Sequence, residues 1–256
     1  MLVAFLLVPG TMLAQDGSFV SRGVELHYRS AGSGTPAVVL SGGPGFTVDY
    51  MVPAGELLPA NYQRIYFEQR GTGRSRPATL DPVSMTLQTA VEDLEALRVH
   101  LKQDRLLFVG HSWGGMLAMA YAAAHPDRVD RLILIGSGGP TLEFTQWFGD
   151  NIYARLRPED LEARSYWQAA AKNGVDRNKV ALEDIKAIVP GYFFDRGKAL
   201  AFAAAIRDGA LHALIPGSRL AYINKSGHFP WLEQPDEFRR VVAEFLSEPP
   251  AADAIR

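Results

Sequence analysis

One serine stands where a serine can work as a nucleophile. The stretch FVGHSWGGMLAMAYAAAHP, Phe108 to Pro126, places Ser112 in a G-x-S-x-G pattern, Gly110 to Gly114, between an apolar run and an alanine-rich one. A sharp strand-to-helix turn at this point strains the serine backbone and crowds its neighbours, so the residues two positions on either side must be tiny. The turn lifts the hydroxyl out of the sheet and sets it at a helix N-terminus, where unpaired N–H groups favour developing negative charge. The N–H of Trp113 is then one expected oxyanion donor. An earlier apolar run ends in SGGPG, Ser41 to Gly45, and the N–H of Gly43 is the expected second donor. Ser112 is read as nucleophile rather than as an ordinary helix-capping serine, because strand and helix flank it correctly.

Such a serine needs a base. SGHFPWLEQP, Ser226 to Pro235, places His228 after a strand, before a helix and C-terminal to the serine, the chain order this arrangement requires. A neutral imidazole there can accept the serine proton and return it to a leaving group. His27, His100, His125 and His212 lack comparable context. His111, beside the serine, is read as scaffold. In EQRGTGRS, Glu68 to Ser75, Arg70 is expected to pair with Glu68 or brace a neighbouring loop, a structural role.

The elements that position these groups follow from hydrophobic pattern. GVELHYRS (Gly23 to Ser30), PAVVL opening Pro36 to Gly45, a run near Arg64 to Glu68, RLLFVG (Arg105 to Gly110) and VDRLILIGSGG (Val129 to Gly139) read as strands. TLQTAVEDLEALRVHL (Thr86 to Leu101) and the stretch after Ser112 read as helices. Strands alternating with helices, several of them apolar throughout, predict an α/β fold: a mostly parallel sheet with helices on both faces, binding ligands at the carboxyl ends of its strands. From Thr141 to about Leu200 the pattern changes to amphipathic helical segments with aromatics, read as a helical cap. The expected organisation is a core of residues 16–140 and 201–256 with a cap over 141–200. RLAYIN (Arg219 to Asn224) is expected to be the last strand, and DEFRRVVAEFLSE the last helix.

Composition narrows the function classes. The chain has 256 residues, is 47% hydrophobic and carries 26 basic against 28 acidic residues. That is enough apolar content for a core and no basic excess for nucleic acid. It contains no cysteine, which excludes disulfides, thiolate metal sites and a cysteine nucleophile. Neither metal nor organic cofactor is implied. The apolar start, Met1 to Val8, broken by Pro9-Gly10, has two readings: a secretory signal over residues 1–15, making the protein periplasmic or secreted, or an apolar strand of a cytoplasmic protein. It is too short to span a bilayer.

Together, SGGPG, EQRGTGRS, GHSWGG and SGHFPWLEQP resemble the α/β-hydrolase superfamily, and within it the proline iminopeptidases, over about Gly23 to Phe194 and Ile215 to Leu246. The resemblance implies a serine hydrolase that releases an N-terminal residue, proline preferred, from short peptides through an acyl-enzyme. Alternatives are an esterase or amide hydrolase on small acyl substrates, or a catalytically impaired homologue. It also implies cap carboxylates that hold the substrate amine, with Glu143, Glu159, Asp160, Glu162 and Glu183 as possible anchors. Gly42, Trp147, Tyr153 and Trp167 are the candidate substrate contacts, with Phe148 and Tyr166 further aromatics of the cap.

Two departures stand out. Relatives usually begin the first glycine loop with histidine, where this chain has Ser41. They also carry a further buried strand ending in an aspartate, whereas GKALAFAAAIRDGALHALI, Gly197 to Ile215, is rich in alanine. Asp208 is the candidate triad acid if this interval is forced extended. Alternatively it is a helix running to Asp208 with Gly209 as its cap, or the acid strand is missing. Since neighbouring strands lie ~4.8 Å apart, closing such a gap would shift His228 by more than a hydrogen bond tolerates.

Overall fold

The structure, a computed structural model, describes residues 15–43, 45–77, 84–138, 145–205, 223 and 226–247. Residues 1–14, Asp208 and all of the expected last strand except Ile223 lie outside these. The described strands are β1 (Gln15–Ser21), β2 (Val24–Ala31), β3 (Thr35–Leu40), β4 (Tyr62–Phe67), β5 (Leu106–His111) and β6 (Val129–Ile135). They form one sheet in the order β1-β2-β4-β3-β5-β6. The pairs β4–β3, β3–β5 and β5–β6 are parallel, and β1–β2 and β2–β4 antiparallel. This is the mostly parallel sheet the apolar runs predict. β1 is not announced by the sequence. It joins β2 through Arg22 and Gly23, at φ 48° and 77°, left-handed values that suit a tight hairpin with the twist of its strands.

Strand alternation divides the core. Ala37 and Val39 of β3, and Leu107 and Val109 of β5, face one apolar cluster; Val38, Leu40, Leu106 and Phe108 face the other. The second cluster is covered by α2 (Leu87–His100), through Val91, Leu94 and Leu97, and by α3 (Trp113–Ala124), through Leu117, Ala118 and Tyr121. The spacing of those residues is one helical stripe. Thr86 caps α2 by accepting the Thr89 N–H, which starts the helix where the sequence suggested. The first cluster is covered by α1 (Val52–Glu56) and, from the far end of the chain, by α8 (Pro230–Glu233) and α9 (Pro235–Ser247). α9 buries Phe238, Val242 and Leu246. Arg131 of β6 donates to the carbonyls of Phe245 and Leu246 near the helix C-terminus, where carbonyls lack helical partners and a cation is favoured.

The described residues between 145 and 205 are helical: α4 (Thr145–Tyr153), α5 (Pro158–Lys172), α6 (Arg177–Ile188), a 3₁₀ turn at Val189–Tyr192 and α7 (Arg196–Ala205). α5 and α6 are joined by Arg164 to Asp184, and α7 is tied to α5 by Arg196 to Asp160. The alanine-rich interval is therefore helix up to Ala205, which overturns the extended reading of that part: among the described residues nothing pairs Ala201 to Ala205 as a strand, and alanine favours the helix. None of the helices among the described residues is long and apolar enough to cross a membrane.

Arg70 pairs with Asp93 of α2, not with Glu68. Its guanidinium donates to both carboxylate oxygens, at 2.8 and 2.6 Å, and to the Ser21 carbonyl, while the Ser21 hydroxyl also donates to Asp93. Glu68 instead takes Arg74. Glu68 and Arg70 both lie past the end of β4, where the Gly71 N–H donates to the Ser75 carbonyl and the turn this closes brings Arg74 onto Glu68, leaving Arg70 to meet α2. Both Arg70 and Asp93 are almost wholly buried, so either charge alone would be stranded in low dielectric. Asp93→Ala is expected to lower the unfolding free energy by about 3–5 kcal/mol, measured by urea denaturation.

A second clamp joins α2 to α3. Glu95 accepts from Arg98 and from the Tyr121 hydroxyl, at 2.6 Å. Arg98, then Tyr121, hold its carboxyl down to about 2. A depressed carboxyl stabilises the fold fully above its unfolded value near 4.5 and loses that contribution as pH falls toward 2. Glu95→Gln should therefore flatten the acid side of the stability curve in that window. The effect is on the order of 1 kcal/mol because the pair is partly solvated, and thermal melts between pH 5 and 2 would read it.

Candidate active site

Ser112 joins β5 to α3 with φ 55° and ψ −119°, a left-handed conformation that a side-chain-bearing residue rarely adopts and that the surroundings must hold in place. The glycines make that possible. A β-carbon on Gly110 would lie 2.5 Å from the Gly114 carbonyl oxygen, one on Gly114 2.4 Å from the Leu40 oxygen, and one on Gly115 1.8 Å from the Ser137 hydroxyl. The helix N-terminus is thus pressed against the ends of β3 and β6, and the Ser112 N–H is pinned to the Ile135 carbonyl at 3.0 Å.

The first glycine loop lies over this turn. Gly43 takes φ 117°, open to glycine alone. The Gly42 N–H is bound to the Tyr50 hydroxyl. Ser41 donates to the Phe46 carbonyl at 2.9 Å and closes the loop on itself. Gln69, at the end of β4, braces two elements at once: its amide nitrogen donates to the Ser41 carbonyl, at 2.9 Å, and its oxygen accepts from the Trp113 indole, at 3.0 Å.

His228 arrives from the other end of the chain. Its N–H donates to the Tyr192 carbonyl at 2.7 Å, so the loop rests on the end of the helical segment. Gly227 permits this approach, since a β-carbon there would lie 2.3 Å from that same carbonyl. Glu233, buried, accepts the N–H groups of Gly227, Phe194 and Asp195 at 2.6 to 2.9 Å. One carboxylate therefore fastens the His228 loop to the 194–195 turn. The Nδ1 side of the His228 ring lies against Gly136, where a β-carbon would come within 2.8 Å of it.

Ser112 and His228 open into one recess of about 70 Å³, lined also by Gly42, Phe46, His111, Ile185, Ile188, Val189, Tyr192, Phe202 and Phe229. Among these described residues there is no carboxylate. Trp147, Tyr153 and Trp167 do not line it. Trp147 and Tyr153 are exposed, while Trp167 packs edge-on to Tyr166 with Lys179 over its ring. Aromatic type at helical spacing could not tell the face of a helix that meets the sheet from the face that meets solvent. Asp208 and Glu143 lie outside the described residues. Asp160 and Glu183 are engaged by Arg196 and Lys186. Among the described residues no group of three or more His, Asp and Glu is placed to hold a metal.

Three residues that matter here were not singled out in the sequence: Tyr50, Gln69 and Glu233. Glu233 had the clearest signal, an acid inside an otherwise apolar turn just after His228. Tyr50 and Gln69 had none, because their partners are 61 and 28 positions away.

The sequence profile of the alpha/beta hydrolase fold matches residues 35–191. A proline iminopeptidase of Xanthomonas citri is 39% identical over 160 residues, covering 61% of this chain and 50% of that protein. The cis-3-alkyl-4-alkyloxetan-2-one decarboxylase of Shewanella oneidensis is 36% identical over 132 residues, covering 50% of this chain and 41% of that protein. The chain thus spans about half the length, or less, of the curated relatives it matches. The crystal structure of a proline iminopeptidase of Mycobacterium smegmatis shares the fold, with a TM-score of 0.66 at 19% identity over 91% of this chain and 98% of that one. With its sheet order, its strained serine turn and a profile match over more than half its length, the chain belongs to the α/β-hydrolase fold family.

Proposed function

We propose that the protein is a serine hydrolase working through an acyl-enzyme on Ser112, with His228 as base. The observation that carries this reading is that a backbone-strained serine at a helix N-terminus and a histidine from the far end of the chain line the same recess. In the proposed cycle, His228 takes the Ser112 proton as the oxygen attacks a carbonyl and passes it to the leaving group; water then repeats the sequence to release the acyl group. The N–H groups of Gly43 and Trp113 are the proposed oxyanion donors. The commitment of the Gly42 N–H to Tyr50 directs that role to Gly43, and Trp113 opens α3, where backbone N–H groups lack helical acceptors. Asp208, which lies outside the described residues, is the acid proposed, now without the extended run through Ala205 that first suggested it.

For the substrate, the relatives named proline iminopeptidases support release of an N-terminal proline from a short peptide, the small apolar recess taking the pyrrolidine ring. A second reading, hydrolysis of esters or amides of small acyl groups, is favoured by a specific observation: no carboxylate among the described residues lines the recess to receive a free ammonium, and Glu159, Asp160 and Glu183 are paired within the cap.

Two measurements separate these outcomes. A fluorophosphonate probe should label the protein stoichiometrically, fail on Ser112→Ala and react at least ~10³-fold more slowly with His228→Ala; unchanged labelling of Ser112→Ala would sink the nucleophile assignment. A prolyl anilide is expected to be turned over. Good turnover of a short acyl ester with none of the anilide would establish the second reading instead.

A further inference from the structure

We propose that Tyr50 and His111 are positioning residues that join the loop of the proposed oxyanion donor to the loop of the proposed base through one directed chain of hydrogen bonds. The inference deepens the hydrolase reading above and rests on it.

The direction of the chain follows from what each group can do. The Gly42 N–H can only donate, so the Tyr50 oxygen accepts it. The His228 carbonyl can only accept, so the Nε2 of His111, 3.0 Å away, carries a proton. A neutral imidazole has one ring proton, which leaves Nδ1 as an acceptor. It lies 2.7 Å from the Tyr50 oxygen, and the hydroxyl proton goes there. The sequence of donors is Gly42 N–H, Tyr50 O–H, His111 Nε2–H, ending on the backbone oxygen of the base itself. Burial supports the neutral hydroxyl: desolvation pushes Tyr50 well above the ordinary tyrosine range.

Placement excludes plain core filling as the whole account. His111 ends β5 on the face of Leu107 and Val109, four and two positions back, and so turns away from the opposite face toward Phe229 and Trp231. It is 2% exposed and its ring lies 4.4 Å, centre to centre, from that of His228. A phenylalanine would fill the same volume but could neither receive the Tyr50 proton nor hold the His228 carbonyl. Ser112 thus sits between two loops whose spacing is set by its own chain neighbour.

The test compares wild type with Tyr50→Phe, His111→Phe and His111→Gln. Glutamine can still reach the His228 carbonyl with an N–H donor. Fluorophosphonate labelling of the wild type is read first; its failure defeats the hydrolase reading, and the relay is then judged by spectroscopy alone. Nitrogen-15 spectra of the imidazoles should show His111 neutral, with its proton on Nε2 and an Nδ1 signal that moves in Tyr50→Phe. For hydrolysis of a short acyl ester, Tyr50→Phe and His111→Phe should lower kcat about 10- to 100-fold, by analogy with the loss when the outer hydrogen-bond partner of a metal-bound histidine is removed. KM should change little, and His111→Gln should recover part of the rate. A proton on Nδ1 of His111, an unaltered kcat in both phenylalanine variants, or a glutamine variant no better than phenylalanine would each overturn the proposal. The wild-type spectrum decides the matter even if a variant fails to fold.

Discussion

The left-handed backbone of Ser112 is the constraint on which the rest of the molecule turns. A residue with a side chain holds φ 55° only where its neighbours allow no relaxed alternative. Here the ends of three parallel strands and the start of a helix meet within van der Waals contact, and Gly110, Gly114 and Gly115 are the places where a single methyl group would collide with backbone or with Ser137. The strain is sustained by the apolar clusters on the two faces of the sheet, which fix β3, β5, β6 and α3 relative to one another. Stability of the core and presentation of the buried hydroxyl to the recess are therefore one property, expressed at two distances from the sheet.

Above that junction, polar side chains do what hydrophobic packing cannot, since loops present backbone donors and acceptors that must be satisfied in specific directions. Gln69 ties the first glycine loop to the Trp113 indole, and Glu233 gathers three backbone N–H groups from two segments. Below it, the buried Arg70–Asp93 pair joins β1, the loop after β4 and α2. The two sets differ in kind. The upper one holds geometry with neutral groups and one carboxylate fully engaged by N–H donors. The lower one sets two charges against each other where water does not reach, so either alone would be costly.

The helical segment closes the site mainly with apolar groups. Ile185, Ile188, Val189 and Tyr192 come from α6 and the turn after it, and Phe202 from α7. A recess so lined excludes water and strengthens any dipole aimed into it, which suits stabilisation of charge that develops only during reaction. Its charged residues face elsewhere: Arg164 with Asp184 and Arg196 with Asp160 join helix to helix. The same electrostatics that build the segment leave the recess without a described carboxylate.

The fold class, the strand-to-helix turn at Ser112 and the loop position of His228 were legible in the sequence because each depends on local pattern: apolar runs of strand length, glycines at fixed offsets, a Gly-His-x-Pro turn between two elements. The helical character of the cap was legible from periodicity, but not which of its faces meets the sheet; hence Trp147 and Tyr153 lie exposed while Ile185, Ile188 and Phe202 line the recess. The stretch through Ala205 had two local readings, and the described residues show the helix that its alanines prefer. Arg70 found Asp93 rather than Glu68, and Tyr50 found His111, because partners far apart in the chain are chosen by how the order of the strands brings their flanking loops and helices together. Sequence by itself determined the chemistry available at Ser112 and His228. Only the tertiary structure decided what stands beside them, because a hydrogen bond is a relation in space between groups that the chain keeps far apart.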